Sequence, residues 1–310
     1  MMERVVHHLL SIAEVDARFF LRIHKRALEL ETLPSAQKAE ILHGAYVAQI
    51  FSEASTRTRV SFEYAALSLG AKVINLDAHS SSLSKKESLY DTLLTLFSIG
   101  LNCFVVRSSD SQLEEVAKTE LGSKIHLINA GNGICGHPTQ ALLDASVLMQ
   151  HCGSLEGKCI SILGDVERSR VARSNVELLS KLGMTIKVFG PSELLPKKPW
   201  SDAMILCSSI EEALEGVDAI MLLRVQTERA GHVNFSPAQG YTESFGLSQK
   251  RYESLNTKAW IMHPGPVNRG IEIDSELVEH EKSLIPKQVA RGTSIRAAIL
   301  EAVLAGEPHV

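Results

Sequence analysis

Two α/β domains, each built on a parallel sheet with helices on both faces, are what this sequence predicts. Three observations lead there. Short apolar runs of strand length alternate with amphipathic runs of helix length. The alternation runs through the first half of the chain and starts again in the second. The 310 residues are long for one domain and comfortable for two. Strand–helix alternation favours parallel strands, because a helix returns the chain to the same edge.

The elements follow in order. A helical pattern covers the first 30 residues, with Ile12, Val15, Phe19, Leu21 and Ile23 among polar neighbours. Buried strands are expected at 46–51, 72–76, 103–107 and 125–129, where the runs are nearly all apolar. Between them a helix is expected at about 59–69, where Phe62, Ala65, Ala66 and Leu69 recur at helical spacing. Another is expected at about 88–99. The second half predicts strands at 159–163, 185–189, 219–223 and 259–262. A helix at 171–182 stops at Gly183, a normal C-terminal signal. The run 138–150 reads as a helix bridging the domains, and the last amphipathic run, 294–305, returns to the first. The expected domains are 1–142 with 293–310, and 143–292.

Composition narrows the class. Hydrophobic residues are 45% and charged residues 22%, ordinary for a globular chain. A net charge of -4 gives no bulk attraction to nucleic acid or an anionic membrane. No apolar run nears the roughly 18 residues of a membrane span. The N-terminal stretch mixes charge and His into its apolar residues and makes a poor signal peptide. The five cysteines are scattered without a C-x-x-C pair, and the twelve histidines include no H-E-x-x-H. The cytoplasm is therefore the expected compartment, and a thiolate zinc site or a metal hydrolase is disfavoured.

Ligands of open parallel sheets sit outside the carboxyl ends of the strands. Segments there concentrate the Arg, Lys, His and hydroxyl residues of the chain. Ser55-Thr56-Arg57-Thr58-Arg59 follows a strand and opens a helix, whose first N–H groups and positive dipole end suit an anion. A guanidinium adds a permanent charge and a fork that matches phosphate oxygens. Arg107, at the end of another strand, supplies a second cation. The bland alternative is a helix cap with solvated arginines. A G-x-G-x-x-G match at Gly131 to Gly136 resembles a dinucleotide loop, but Pro138 puts the helix start after the third glycine. Dinucleotide binding is therefore disfavoured.

Four motifs carry a family resemblance: F-S-E-A-S-T-R-T-R at Phe51 to Arg59, H-P-T-Q at His137 to Gln140, R-V-Q at Arg224 to Gln226, and H-P-G-P at His263 to Pro266. In their order and spacing they resemble aspartate carbamoyltransferases over almost the whole chain. The ornithine branch typically has H-C-L-P at the last motif. The resemblance implies transfer of a carbamoyl group from carbamoyl phosphate to L-aspartate with no metal and no organic cofactor, the second step of de novo pyrimidine (UMP) biosynthesis. It places Ser55, Thr56, Arg57, Thr58 and Arg107 on the phosphate. His137 and Gln140 fall on the carbamoyl group, with Gly265 and Pro266 also in the carbamoyl phosphate site. Arg170, Arg224 and Gln226, together with Lys85, fall on aspartate; Arg168 and Arg173 are neighbours that make the Arg170 match less unique.

Ser80 to Glu87 resembles the family's loop that enters a neighbouring subunit's site with a Ser and a Lys. Lys85 matches by its distance from Glu87, with Lys86 as a rival where the family has Gly; the serine is Ser82 or Ser81. Arg57, Thr58, His137 and Lys85 are then the catalytic group. The implied minimum assembly is a homotrimer, with regulatory chains or a dihydroorotase-type enzyme as candidate further partners. A carbamoyltransferase for another amino acid and a catalytically silent assembly subunit stay open. The shared expectation is that Arg57, Arg107, Arg170 and Arg224 line one pocket for two polyanions.

Overall fold

The computed structural model describes residues 7–77, 87–108, 112–133, 135–225, 240–255 and 259–304. The chain divides into two compact units: Met1–Leu142 with Arg291–Val310, and Leu143–Ala290. In the first unit the strands are β1 (His8–Leu9), β2 (Tyr46–Phe51), β3 (Lys72–Asp77), β4 (Cys103–Ser108) and β5 (His126–Asn132). Helices α1 (Ala17–Thr32), α2 (Ser35–Ile41), α3 (Thr56–Ser68), α4 (Leu89–Ile99) and α5 (Leu113–Ala117) stand between them. Helix α6 (Pro138–Cys152) carries the chain into the second unit. There β6 (Cys159–Leu163), α7 (Arg170–Lys181), β7 (Thr185–Phe189), β8 (Met204–Leu206), α8 (Ile210–Leu214) and β9 (Ala219–Leu222) follow. Helices α9 (Tyr241–Phe245) and α10 (Gln249–Ser254), strand β10 (Trp260–Met262) and helix α11 (Ser275–Val278) complete it. Helix α12 (Ile285–Leu304) takes the chain back to the first unit.

The fold class is the one expected. Each unit holds a five-stranded sheet, in the orders β1-β5-β4-β2-β3 and β10-β9-β6-β7-β8. Every described pairing of named strands is parallel. Strands flanked on both sides have no solvent face, which explains their continuous apolar runs. Phe104, Val105, Val106, Ile160 and Ile162 are fully buried. Polar Gln49 is buried in β2; with its amide oriented to match, it donates to Arg59 O (3.2 Å) and accepts from Glu63 N (3.1 Å), tying strand to helix.

Several bounds differ from the pattern. The first 30 residues are not one helix: β1 pairs with β5, a short 3-10 turn spans Ile12–Glu14, and α1 starts after Asp16. The Asp16 carboxylate accepts from Phe19 N at 2.7 Å, a cap that periodicity alone overlooks. Leu21 is exposed, while Phe19, Phe20, Ile23, Ala27 and Leu30 make the inner stripe. The last helix begins at Ile285, well before the expected 294. Pro286 lies in its first turn, where no N–H is needed, so this proline starts a helix rather than ending one. Strands β1 and β8 are too short to leave a period in the sequence.

Candidate active site

A sheet binds ligands where its strand order reverses direction, because the connections on either side diverge and leave a crevice. In the first unit that point lies between β2 and β4, whose chain connections run to opposite sides. Phe51 and Arg107 are register partners there. Ser52 N donates to Arg107 O at 2.9 Å, so the loop after β2 is tied to the end of β4. The guanidinium of Arg107 lies 3.4 Å from the Glu53 carboxylate and 3.4 Å from Ala130 O, which holds it at the strand end.

The loop leads into α3. Ser55 is its N-cap and its side chain makes no capping bond; Thr56, Arg57 and Thr58 form the first turn, which contains no acidic residue. Thr56 and Arg57 are exposed, Ser55 half-buried and Thr58 buried. A helix start without a carboxylate keeps its dipole available to an external anion. On the other side of β4, β5 runs to Asn132, and Gly133 N donates to Ser108 O at 3.0 Å. Pro138 opens α6, with His137 just before it; His137 and Gln140 are both buried. Thr139 Oγ1 lies 3.4 Å from His137 Nδ1. Ser55, Thr56, Arg57, Thr58, Arg107, His137 and Gln140 thus stand at the carboxyl ends of three adjacent strands. The third glycine of the G-x-G-x-x-G match precedes α6 and cannot pack inside it.

In the second unit the strand order reverses between β6 and β9. Leu163 and Leu222 are register partners, and Leu223 N donates to Leu163 O at 2.9 Å. Arg224 follows the end of β9, and Arg170 opens α7 after the loop that leaves β6. Both are half-buried. That loop starts at Gly164 with φ +116, where a Cβ would stand 3.1 Å from Leu223 O and 3.2 Å from Tyr241 Oη. Burial first, then the charges of Glu272 and Asp165, push the Tyr241 hydroxyl above its ordinary pKa. The rival cation Arg173 is engaged elsewhere: its guanidinium lies over the Trp200 ring at 4.3 Å and bonds Glu167 Oε1 at 3.0 Å. Arg168 is exposed. After β10, Gly265 has φ 71, open to glycine and costly for other residues, followed by Pro266. Gln226, Ser81, Ser82, Lys85 and Lys86 lie outside the described residues.

A cavity of about 1270 Å³ lies elsewhere in the second unit, walled by Glu211, Glu212, Glu215 and Asp218 with Lys250 and Arg251. None of the expected site residues lines it. Its carboxylates would repel a phosphate or a dicarboxylate, so its size does not make it the site. Among the described residues no group of His, Cys, Asp and Glu is placed to hold a metal ion, and no helix is long and apolar enough to cross a membrane.

Sequence reasoning missed the groups behind the site. Glu53 beside Arg107 is one; Asp144, Asn175, Gln288 and Glu272 are others, all buried. Asp144 had a visible signal. It interrupts the apolar run Ala141-Leu142-Leu143 and Ala145 in the middle of a helix, and a buried carboxylate needs partners.

The two parallel-sheet units thus carry Arg57 and Arg107 at strand ends of one sheet and Arg170 and Arg224 beside those of the other, and comparison with known proteins specifies the class of enzyme to which this arrangement belongs. Residues 7–150 match the family model for the aspartate/ornithine carbamoyltransferase carbamoyl-P binding domain, and residues 156–303 match that for the Asp/Orn binding domain. The chain belongs to the aspartate/ornithine carbamoyltransferase family. Within it, the chain is 43% identical over 300 residues to the aspartate carbamoyltransferase catalytic subunit of Solibacter usitatus (strain Ellin6076), covering 96% of this chain and 98% of that one. The catalytic subunit of M. jannaschii aspartate transcarbamoylase has a similar structure, with TM-score 0.82, 29% identity, and coverage of 97% of this chain and 98% of that one. The Trypanosoma cruzi aspartate transcarbamoylase in complex with carbamoyl phosphate and aspartate superposes with TM-score 0.82 at 25% identity, covering 97% and 96%.

Proposed function

We propose that this chain transfers the carbamoyl group of carbamoyl phosphate to the amine of L-aspartate, giving N-carbamoyl-L-aspartate and phosphate, a step of pyrimidine synthesis in the cytoplasm. The observation that carries the reading is the acid-free first turn of α3, Thr56-Arg57-Thr58, set beside Arg107 across the strand-order reversal of the first sheet. The first unit takes carbamoyl phosphate: Ser55, Thr56, Arg57, Thr58 and Arg107 on the phosphate, His137 and Gln140 on the carbamoyl group. The second takes aspartate with Arg170, Arg224 and Gln226, and Gly265 and Pro266 border the carbamoyl group. Relatives named for the aspartate reaction, at 40–43% identity over nearly the whole chain, support the choice of amine.

The chemistry follows from charge. The neutral amine attacks the carbamoyl carbon, and negative charge builds on the former carbonyl oxygen. Arg57, Thr58 and His137 donate to that oxygen; one well-aimed donor of this kind is worth about 3 kcal/mol of barrier. The C–O bond to phosphate breaks, and the departing phosphate accepts the proton of the amine. No protein base is needed. Phosphate and a dicarboxylate side by side repel each other unless cations surround them, which is the work of the arginines and Lys85.

Assays with aspartate and ornithine as competing amines test the reading. Carbamoyl-aspartate is expected, with kcat/KM favouring aspartate by at least about a hundredfold. No product, as from a silent assembly subunit, or faster reaction with ornithine, would sink it.

The same proposal includes a homotrimer with shared sites, in which Ser82 and Lys85 come from the adjacent subunit. Helix α3 supports an interface between copies because it is apolar on both faces. Phe62, Ala65 and Ala66 point inward, while Val60, Tyr64 and Leu67 recur at helical spacing on the outside, each more than half exposed. Mixed trimers of Arg57→Ala and Lys85→Ala chains should regain part of the activity that each lacks alone, since some interfaces then hold an undamaged site. Confirmed mixed trimers that stay inactive would count against sharing.

A further inference from the structure

Arg170 and Arg224 lie on separate segments of the second unit, and one series of buried and part-buried hydrogen bonds joins those segments. It starts beside Arg170. Asn175 Nδ2 donates to Val171 O at 3.0 Å, in the first turn of α7, and to Asp144 Oδ2 at 2.9 Å. Asp144 Oδ1 accepts from Gln288 Nε2 at 2.8 Å, and Gln288 Oε1 accepts from His263 N at 2.9 Å. The ring of His263 carries it on. Gly265 N donates to Nδ1 at 2.8 Å, so the ring proton sits on Nε2, which faces Glu272 Oε1 at 3.1 Å. The same Oε1 accepts from Asn268 N at 2.6 Å. Asn268 Nδ2 then donates to Val225 O at 3.1 Å, next to Arg224.

Asp144 and Asn175 are fully buried, and His263, Glu272 and Gln288 nearly so. None of the six side chains is among the residues assigned to a substrate. Burying this many polar groups in a unit that could have used apolar ones is costly unless their geometry is used. Both ends of the series stop on a backbone carbonyl adjacent to a substrate arginine, and its middle sets the 263–268 turn that carries Gly265 and Pro266.

We propose that His263, Glu272 and Asn268, with Gln288, Asp144 and Asn175 behind them, are positioning residues for the aspartate half-site. The network holds the backbone at Arg170, at Arg224 and in the Gly265-Pro266 turn in one fixed arrangement. The inference rests on the proposed aspartate reaction for its kinetic consequence, but not for its structural one. Displacing a substrate-holding group by about 1 Å costs up to a hundredfold in rate, so the effect falls on aspartate use.

Three variants separate positioning from bulk stability. Asn268→Ala removes the bond to Val225 O and keeps the backbone bond to Glu272. Glu272→Ala removes the acceptor shared by His263 and Asn268, whereas Glu272→Gln keeps an oxygen there. Hydrogen exchange should accelerate at 223–225 in Asn268→Ala, and at 264–268 as well in Glu272→Ala, with Glu272→Gln restoring much of the protection. Aspartate KM should rise about tenfold or more in the two alanine variants, while carbamoyl phosphate affinity in the first unit stays within about twofold. Asn268→Ala with parental exchange at 223–225 and parental aspartate KM would overturn the proposal, even if Glu272→Ala does not fold. Failure of the parent chain to make carbamoyl-aspartate would overturn the functional reading alone, because the exchange measurement still decides the structural one.

Discussion

Replacing Arg57 by alanine should lower kcat/KM for carbamoyl transfer by about a thousandfold or more while leaving the melting curve nearly unchanged. The loss combines two effects. In the proposed mechanism Arg57 donates to the phosphate in the ground state and to the oxyanion as the transition state forms, and one oxyanion donor alone is worth about 10² to 10³ in rate. The stability of the fold should move by no more than about 0.5 kcal/mol, because the side chain is exposed in the first turn of α3. Arg57→Lys should recover only a small part, since an ammonium is a point charge without the planar fork. Steady-state kinetics beside a denaturant titration measure both quantities. Turnover near the parental rate in Arg57→Ala would refute the site assignment.

The second large effect is structural. Glu301, in the last turns of α12, is 5% exposed and accepts from Arg26 Nε at 2.8 Å and Nη2 at 2.9 Å. This two-pronged pair fastens the returning helix to α1, aided by Arg291 on Glu31 at 2.9 Å. Removing one partner of a buried pair strands the other. Glu301→Ala should cost about 2–4 kcal/mol, toward the lower end because Arg26 keeps Glu29 at 2.9 Å. The double change Arg26→Met with Glu301→Leu should recover most of that loss, since a buried ion pair and an apolar pair of similar size are often equivalent. Urea unfolding of the single and double variants provides the cycle. A single variant within about 0.5 kcal/mol of the parent would show that the helix is held by its apolar face alone.

The candidate site residues that sequence singled out share one property: they are local. Ser55 to Thr58 lie within one turn of a helix start, and His137 to Gln140 within another, so a few adjacent letters specify both the residue types and the backbone beneath them. Strands such as 46–51 and 159–163, buried but for their first residues, were likewise legible to the residue, because burial on both faces keeps such runs mostly apolar. The helix ends were less so. Asp16 and Pro286 act through one capping bond or one missing N–H, effects a period of 3.6 averages away.

Amino-acid order by itself therefore determined the family and the two parallel sheets, and singled out the candidate anion-binding arginines, since each is written in contiguous runs with a local physical cause. Tertiary structure decided what depends on residues distant in the chain: that Phe51 and Arg107 are register partners, that Arg173 is taken up by Trp200 and Glu167, and that Asp144 meets Gln288. Those outcomes turn on strand order and on which buried polar groups find one another. A carboxylate 144 positions from its amide partner leaves no periodic trace, because nothing between them is constrained by the bond.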